Sequence, residues 1–179
     1  MNMVGLKKLS YGMFVVSSKL KEKINGQIAN TVIQVSAKPP KVVVAINKEN
    51  LTHEYISESK VFSVSILSIQ TPVKIIGLFG FRTGREVNKF EKVEYRKGIT
   101  GCPILLQYTV AYLEVKVLEE IDVGTHTLFV GEVIDSGILG EDFPMTYEYY
   151  QKELKGKAPE RAPTYMEEKI KEKDKFSAF

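Results

Sequence analysis

The sequence contains a single cysteine, Cys102, among its 179 residues. One thiol cannot form an internal disulfide, and it excludes sites that need two or more cysteines, such as iron–sulfur clusters, cysteine-rich zinc sites and redox dithiols. Gly101 and Pro103 flank it in a turn-like run with no histidine nearby, which does not favour a catalytic thiol. Because so few cysteines are typical of a reducing compartment, we expect a cytoplasmic protein.

Long apolar runs are also missing. No stretch reaches the roughly 18 residues of a membrane helix, so no membrane span is expected. The N-terminal Lys7 and Lys8 are not followed by the apolar core of a secretion signal, because Ser10, Tyr11 and Gly12 interrupt it. The 25 basic residues are nearly balanced by 22 acidic ones, so no binding to nucleic acid is expected.

The glycine-rich motifs of doubly wound nucleotide folds, G-x-G-x-x-G and G-x-x-x-x-G-K-[ST], do not occur. What remains is a chain that is 44% hydrophobic, enough for one folded domain. We predict a domain over residues 1–165 and a charged tail over 166–179. Residues 151–179 are rich in charge and broken by Pro159 and Pro163. They read as mostly exposed, with one helical piece near residues 165–175.

Short runs of β-forming residues predict a mainly β fold. The predicted strands cover residues 11–18, 27–36, 41–47, 61–67, 104–118 and 125–136. Asn25-Gly26 predicts a hairpin turn between the first two strands, and Asp122-Val123-Gly124 predicts a turn between the last two. Pro39 and Pro40 should end the second strand. The nearly continuous apolar run over residues 41–47 indicates a strand buried on both faces.

Two short helices interrupt the strands. The first should begin with Asn50 or Thr52 as its N-cap and continue to about Ser59. The second should begin with Thr71 as N-cap and Pro72 at the first helical position. The polar, glycine-bearing residues 80–90 should form a loop. Six or seven strands in hairpins with two short helices predict a β-barrel or sandwich.

Three polar clusters lie beside apolar strands. Asn30 and Thr31 either face solvent at an edge strand or line a planar ligand with a polar rim. Residues 47–53, with Lys48 and Thr52, fit an ordinary capped helix start, but their free N–H groups also suit a phosphate.

The third cluster follows Phe81. Arg82, Arg85 and Lys89 could clamp a phosphate or form a solvated basic loop. His126 precedes an apolar strand and could hydrogen-bond a cofactor, transfer a proton or simply stabilise a turn. His53 and His126 are the only histidines. Two histidines alone make a poor metal site, and no metal is predicted.

In this order, the clusters resemble the flavin reductase-like family, whose fold is an FMN-binding split barrel. Within it, the branch with archaeal ferric reductase, flavoredoxin and the flavin domains joined to rubredoxin is the most similar. The resemblance covers roughly residues 6–165. Its matching stretches are 9–12 (LSYG), 25–31 (NGQIANT), 38–40 (KPP), 47–53 (NKENLTH), 79–82 (FGFR), 89–90 (KF), 122–132 (DVGTHTLFVGE), 146–147 (TY) and 156–159 (GKAP). No single stretch is specific, but the ordered set is.

The resemblance implies a six-stranded split barrel with Greek-key connections, a homodimer, and FMN near the subunit interface. The residues it implies at the flavin ring are Ile28, Ala29, Asn30, Thr31 and Val32. Those it implies near the phosphate and ribityl chain are Asn47, Lys48, Asn50 and Thr52, with Phe81, Arg82 and Lys89 beside them, the last two as charge partners. His126 should lie near the flavin ring or the nicotinamide.

The function that the resemblance implies is electron transfer from NADH or NADPH, through bound FMN, to free flavin, ferric iron or a redox protein. A non-enzymatic FMN electron carrier and a split barrel without flavin are the alternatives. Ferric reductase-like relatives can carry a cysteine where this chain has Ala45, which weakens the case for iron reduction. The chain also has no Cys-x-x-Cys pair, so a rubredoxin acceptor would be a separate protein.

Overall fold

The computed structural model describes residues 4–165. The strands are β1 (Phe14–Leu20), β2 (Lys23–Ala29), β3 (Val32–Ala37), β4 (Pro40–Asn47), β5 (Val61–Leu67), β6 (Tyr95–Lys97), β7 (Pro103–Leu105), β8 (Thr109–Asp122) and β9 (His126–Ile138). The helices are α1 (Leu51–Ser59), α2 (Val73–Phe81) and α3 (Tyr147–Lys152), with 3-10 turns at Val4–Lys8 and Lys89–Lys92. The predicted tail helix near residues 165–175 lies almost entirely outside the described residues.

Seven strands form one antiparallel sheet in the order β2-β1-β5-β8-β9-β4-β3, and β6 pairs with β7. β2 and β4 contact each other although they stand near opposite ends of that order. The sheet therefore curls into a barrel. The prediction of a mainly β barrel with a few short helices is confirmed.

Two hydrophobic cores hold this fold together. Inside the barrel, Phe62 and Phe129 are fully buried with residues from most of the long strands, and Ile56 of α1 belongs to the same core. On the outside of the sheet, Phe79 of α2 and Phe90 pack edge to face, with centroids 5.4 Å apart. Each fully buried side chain of this size contributes roughly 1.5–3 kcal/mol relative to exposure. Together they fix α1 and α2 against the strands that carry the polar clusters.

The first hairpin differs from the prediction. The chain turns at Lys21 and Glu22, whereas Asn25 and Gly26 lie inside β2, paired with β1. The Asn25 side chain is buried and donates to Thr52 Oγ1 at 2.9 Å. Because a tertiary hydrogen bond holds Asn25 in the strand, the local preference of Asn-Gly for a turn is overridden.

Two further predictions about the strands were wrong, and a third was right in part. The strand predicted over residues 27–36 is broken at Asn30 and Thr31 into β2 and β3. Pro39 lies in the turn that follows the end of β3 at Ala37, as predicted, but Pro40 already begins β4, a position that needs no backbone donor. β4 alternates between fully buried Val42, Val44 and Ile46 and a half-exposed second face, so it is not buried on both faces.

The first predicted helix is confirmed: Asn50, one of the two predicted candidates, is the N-cap residue of α1, and the helix ends at Ser59. The start of the second helix needs correction. Pro72, not Thr71, is the N-cap residue of α2, and the Thr71 hydroxyl donates to the Ser68 carbonyl at 2.6 Å. Helix α3 was not predicted. No helix within residues 4–165 has the length and apolarity needed to cross a membrane.

Candidate functional site

A cavity of about 580 Å³ opens beside the barrel. Its walls come from β2, the end of β4, the start of α1, the end of α2 and the segment 157–165. This volume lies within the roughly 300–1,000 Å³ that is typical of cofactor sites. Most of the predicted site residues line it, namely Ile28, Ala29, Asn30, Asn47, Asn50, Thr52, Phe81, Arg82, Lys89 and His126.

Three predicted residues do not line this cavity. Thr31 contacts β4, its hydroxyl donating to the Ala45 carbonyl at 3.4 Å. Val32 packs against the barrel core. The Lys48 ammonium binds the Asp122 carboxylate at 2.6 Å on the exposed surface. The cavity lining therefore gives their predicted flavin contacts no support.

One end of the cavity is the start of α1. Asn50 stands at the N-cap with extended backbone and makes no side-chain capping bond. Leu51 and Thr52, in the first turn, face the cavity. The first N–H groups of a helix lack partners within it, and the helix dipole adds a partial positive charge there. This end of the cavity is therefore suited to an anion.

Two cations add to that charge. Arg82 follows α2 and lines the cavity with an exposed side chain. Lys89 is only 4% exposed, and its ammonium donates to the Gly26 carbonyl at 2.8 Å and to the Phe79 carbonyl at 3.3 Å. Burial lowers the pKa of Lys89 to about 8. Within residues 4–165 no carboxylate pairs with it, and an ammonium has three N–H groups. Its third donor is available to a ligand.

Two buried acceptors on the cavity wall also lack partners. Gln27 Oε1 and Asn30 Oδ1 are buried and make no hydrogen bond among the described residues. Buried polar atoms are nearly always satisfied in folded proteins, and an orphan costs about 1–3 kcal/mol. These two oxygens are therefore suited to a ligand with N–H or O–H donors at its rim.

His126 begins β9 at the cavity edge. Its Nε2 lies 3.2 Å from the Arg161 carbonyl, and its Nδ1 lies 2.9 Å from the Thr125 hydroxyl. A carbonyl only accepts, so Nε2 carries the proton and Nδ1 accepts from Thr125. Burial lowers the pKa of His126 from its ordinary value and so favours the neutral imidazole. Both ring nitrogens are engaged.

The other chemically reactive side chains lie elsewhere. His53 Nε2 bonds the Thr127 hydroxyl at 2.8 Å, and its ring packs on Phe129. Cys102 is fully buried, which raises the pKa of its thiol to about 11. Across residues 4–165, no three histidine, cysteine, aspartate or glutamate side chains gather as a metal site would require.

The sequence reasoning missed several lining residues. Asn25 was taken for a turn residue, and Gln27 was counted only as part of a strand. Gly84 packs so closely on Asn25 that a Cβ there would lie 2.0 Å from Asn25 Oδ1. The segment 157–165 was expected to be a mostly exposed tail, yet it lines the cavity. Its Arg161 and Tyr165 carried no local pattern that indicated this.

Comparison with known proteins agrees with this geometry. The flavin reductase like domain matches residues 6–158. A ferric-chelate reductase (NAD(P)H) of Archaeoglobus fulgidus is 48% identical over 90% of this chain and 96% of its own length. A high molecular weight rubredoxin of Moorella thermoacetica is 41% identical over 97% of this chain and 76% of its own length.

Similarity in structure points the same way. The crystal structure of an FMN-binding protein from Thermus thermophilus with bound 1-cyclohex-2-enone superposes with a TM-score of 0.67. It is 30% identical and covers 73% of this chain and 71% of that one. The predicted split barrel is thereby confirmed. The chain belongs to the flavin reductase-like family.

Proposed function

We propose that this protein is an NAD(P)H-dependent flavin reductase that binds FMN without a covalent bond in the cavity beside the barrel. The observation that carries the proposal is the set of unsatisfied polar groups in one cavity. Among the described residues, two buried acceptors there have no hydrogen-bond partner, and a buried ammonium with two carbonyl partners has a third donor, beside a helix start without a side-chain cap. Family membership and the similarity to a ferric-chelate reductase (NAD(P)H) support the enzyme over a simple electron carrier.

The phosphate fits the end of the cavity at α1. The N–H groups of Leu51 and Thr52 would donate to it, and Arg82 supplies a full positive charge nearby. Lys89 would contribute its third donor to an anionic part of the cofactor. A dianionic phosphate is the reason to propose FMN rather than riboflavin.

The ring fits the wall formed by the end of β2. Ile28 and Ala29 offer apolar surface, and the orphan oxygens of Gln27 and Asn30 would accept hydrogen bonds from its polar rim. When bound, the flavin supplies the chemistry by accepting a hydride from the nicotinamide. The protein residues bind and orient the reactants and exclude water. No general base is required, which agrees with the lack of a catalytic carboxylate pair among the described lining residues.

The electron donor is NADH or NADPH, and His126 is the candidate residue for contacting it. The acceptor is free flavin, ferric iron or a separate redox protein. A rubredoxin-type partner is part of the proposal because one relative is a high molecular weight rubredoxin that is longer than this chain. Ala45 lines the cavity, so a thiol at that position is not part of the proposed site.

We also propose a cytoplasmic homodimer. β3 is the outer strand of the sheet, and its Ile33 and Val35 are more than half exposed. Exposed apolar side chains on an edge strand favour pairing with a second copy. Sedimentation velocity of the wild type and of an Ile33→Lys, Val35→Lys variant tests this, with a monomeric variant expected. A wild-type monomer would contradict it.

The binding experiment compares FMN, riboflavin and FAD by quenching of flavin fluorescence. We expect FMN to bind at least tenfold more tightly than riboflavin, because the phosphate gains charge-assisted hydrogen bonds of about 1.5–3 kcal/mol. Equal affinities for FMN and riboflavin would remove the phosphate site from the account. No quenching by any flavin would overturn the proposed function.

A further inference from the structure

Residues 157–165, here called the strap, form one wall of the cavity. After α3 the chain runs back over the site, and two short turns shape it, with Ala162 N donating to Pro159 O at 2.9 Å and Tyr165 N to Ala162 O at 3.0 Å. At its start, the Tyr150 hydroxyl donates to the Lys157 carbonyl at 3.2 Å. The strap is therefore an ordered part of the cavity wall.

The strap is held by side chains of the site itself. The Arg161 carbonyl accepts from His126 Nε2 at 3.2 Å and lies at 3.5 Å from Asn47 Nδ2. The Thr164 hydroxyl accepts from Asn30 Nδ2 at 2.8 Å. Outside the cavity, Arg161 Nε pairs with the Glu49 carboxylate at 3.1 Å, between side chains that are more than half exposed.

These contacts divide the polar groups of the cavity into two sets. The strap engages the donors of Asn47 and His126 and the amide nitrogen of Asn30. Within the described part of the chain, it leaves Gln27 Oε1, Asn30 Oδ1 and the third donor of Lys89 without partners. The second set is the one assigned above to the flavin, so the strap does not replace that ligand. It replaces something that binds next to it.

We propose that the strap occupies the subsite of the second substrate, the reduced nicotinamide dinucleotide, and is displaced when that substrate binds. The peptide group of Arg161 and the carboxamide of nicotinamide are both amides, so each offers a carbonyl oxygen as a hydrogen-bond acceptor. The Arg161 carbonyl is a peptide oxygen that accepts from His126 and Asn47, and the nicotinamide carboxamide presents the same acceptor. Displacement would free His126 Nε2, which donates to the Arg161 carbonyl while the strap is in place.

The contacts of Arg161 and Thr164 suit this part of the strap to displacement, because each of them is weak. They are an exposed ion pair and neutral hydrogen bonds, each worth only a small factor in an equilibrium constant. The inference rests on the proposed function. It adds that the chain competes with its own nicotinamide substrate, so loosening the strap should strengthen nicotinamide binding and leave flavin binding unchanged.

Proteolysis reports the position of the strap directly. Trypsin can cleave after Arg161, which is followed by Ala162. The FMN-loaded protein is digested with and without saturating NAD⁺ or NADP⁺, and mass spectrometry follows the Arg161–Ala162 cut. We expect the bound dinucleotide to speed this cut at least threefold. Unchanged or slower cleavage in a protein that binds the dinucleotide would overturn the proposal.

A variant pair gives the second test. Glu49→Gln with Thr164→Val removes the ion pair and the Asn30 contact. We expect the Kd for the oxidised dinucleotide to fall about two- to tenfold and the Kd for FMN to change less than twofold. Glu120→Gln, which breaks the exposed pair with Lys60 away from the cavity, is the matched control and should change neither constant.

The outcomes separate the two levels of the account. If the paired variant tightens FMN as much as the dinucleotide, the strap merely covers the whole cavity and the proposal fails. If the dinucleotide Kd does not change while wild-type FMN is still reduced by NAD(P)H, the strap proposal fails and the proposed function stands. If FMN does not bind, or is not reduced by either nicotinamide, both fail.

Discussion

Lys89 allows a quantitative test of the cavity's electrostatics. Its ammonium is 4% exposed and bonds two carbonyls, with no carboxylate partner within residues 4–165. Burial lowers its pKa from 10.5 to about 8. At about 1.4 kcal/mol per pH unit, this lowering corresponds to about 3 kcal/mol.

The sign follows from proton linkage. Between about pH 8 and pH 10.5 the unfolded chain holds the Lys89 proton and the folded protein has lost it, so stability from this group rises with pH. The contribution of Lys89 is complete above 10.5, its pKa in the unfolded chain, and is lost as the pH falls to about 8, its pKa in the folded protein. Cys102, whose pKa is raised by burial to about 11, acts in the opposite direction above pH 9.

The assay is therefore a difference between two proteins. Urea unfolding of wild type and Lys89→Met is measured at pH 7, 8, 9 and 10 without flavin, and Cys102 cancels in the difference. We expect the wild type to gain about 1.4 kcal/mol per pH unit on the variant above pH 8, roughly 2–3 kcal/mol by pH 10. A difference that does not change with pH would refute the reasoning. With FMN bound, the slope should shrink because a nearby anion keeps the ammonium charged.

Three further outcomes are expected. Arg82→Ala should weaken FMN binding about tenfold or more in a fluorescence titration, because Arg82 lines the cavity. The control is Arg85→Ala, since Arg85 pairs with Glu54 away from the cavity, and it should leave FMN binding unchanged. Equal effects of the two substitutions would remove Arg82 from the site. His126→Ala should slow flavin reduction about tenfold with an unchanged FMN Kd, because the variant loses the Nε2–H donor proposed to contact the nicotinamide. An unchanged rate in stopped-flow absorbance would exclude this role. Glu114→Ala should lower the free energy of unfolding by about 2–5 kcal/mol, because the buried carboxylate accepts hydrogen bonds from the backbone N–H and the hydroxyl of Thr100. A decrease below 1 kcal/mol, measured by urea unfolding, would contradict this.

Much of the fold could be predicted from local patterns. The alternation of β-forming residues located the long strands, and Gly124, with φ of 94°, lies in the predicted turn before β9. The same reasoning failed where tertiary contacts decide. Asn25-Gly26 is a strong local turn signal, but Asn25 is buried against Thr52 and remains in β2. A local propensity cannot anticipate a partner 27 residues away.

The site was predictable to a similar degree. The sequence pattern pointed to polar residues at the ends of strands and at the start of α1, and Asn30, Asn47 and Asn50 of this set line the cavity. Two things were not visible. Lys89 was predicted to contact a phosphate or to lie in a solvated loop, but its burial and its hydrogen bonds to the Gly26 and Phe79 carbonyls were not foreseen. The strap was read as a tail because its charge and prolines carry no signal for the side chains that hold it.

The central claim is that bound FMN in this protein accepts electrons directly from a nicotinamide. The most direct measurement is anaerobic stopped-flow absorbance of the purified, FMN-loaded protein mixed separately with NADH and NADPH. The account predicts rapid bleaching of the visible flavin band by at least one of them, which also names the donor. No bleaching by either, while dithionite still reduces the bound flavin, would contradict the reductase and indicate an electron carrier that depends on a protein partner.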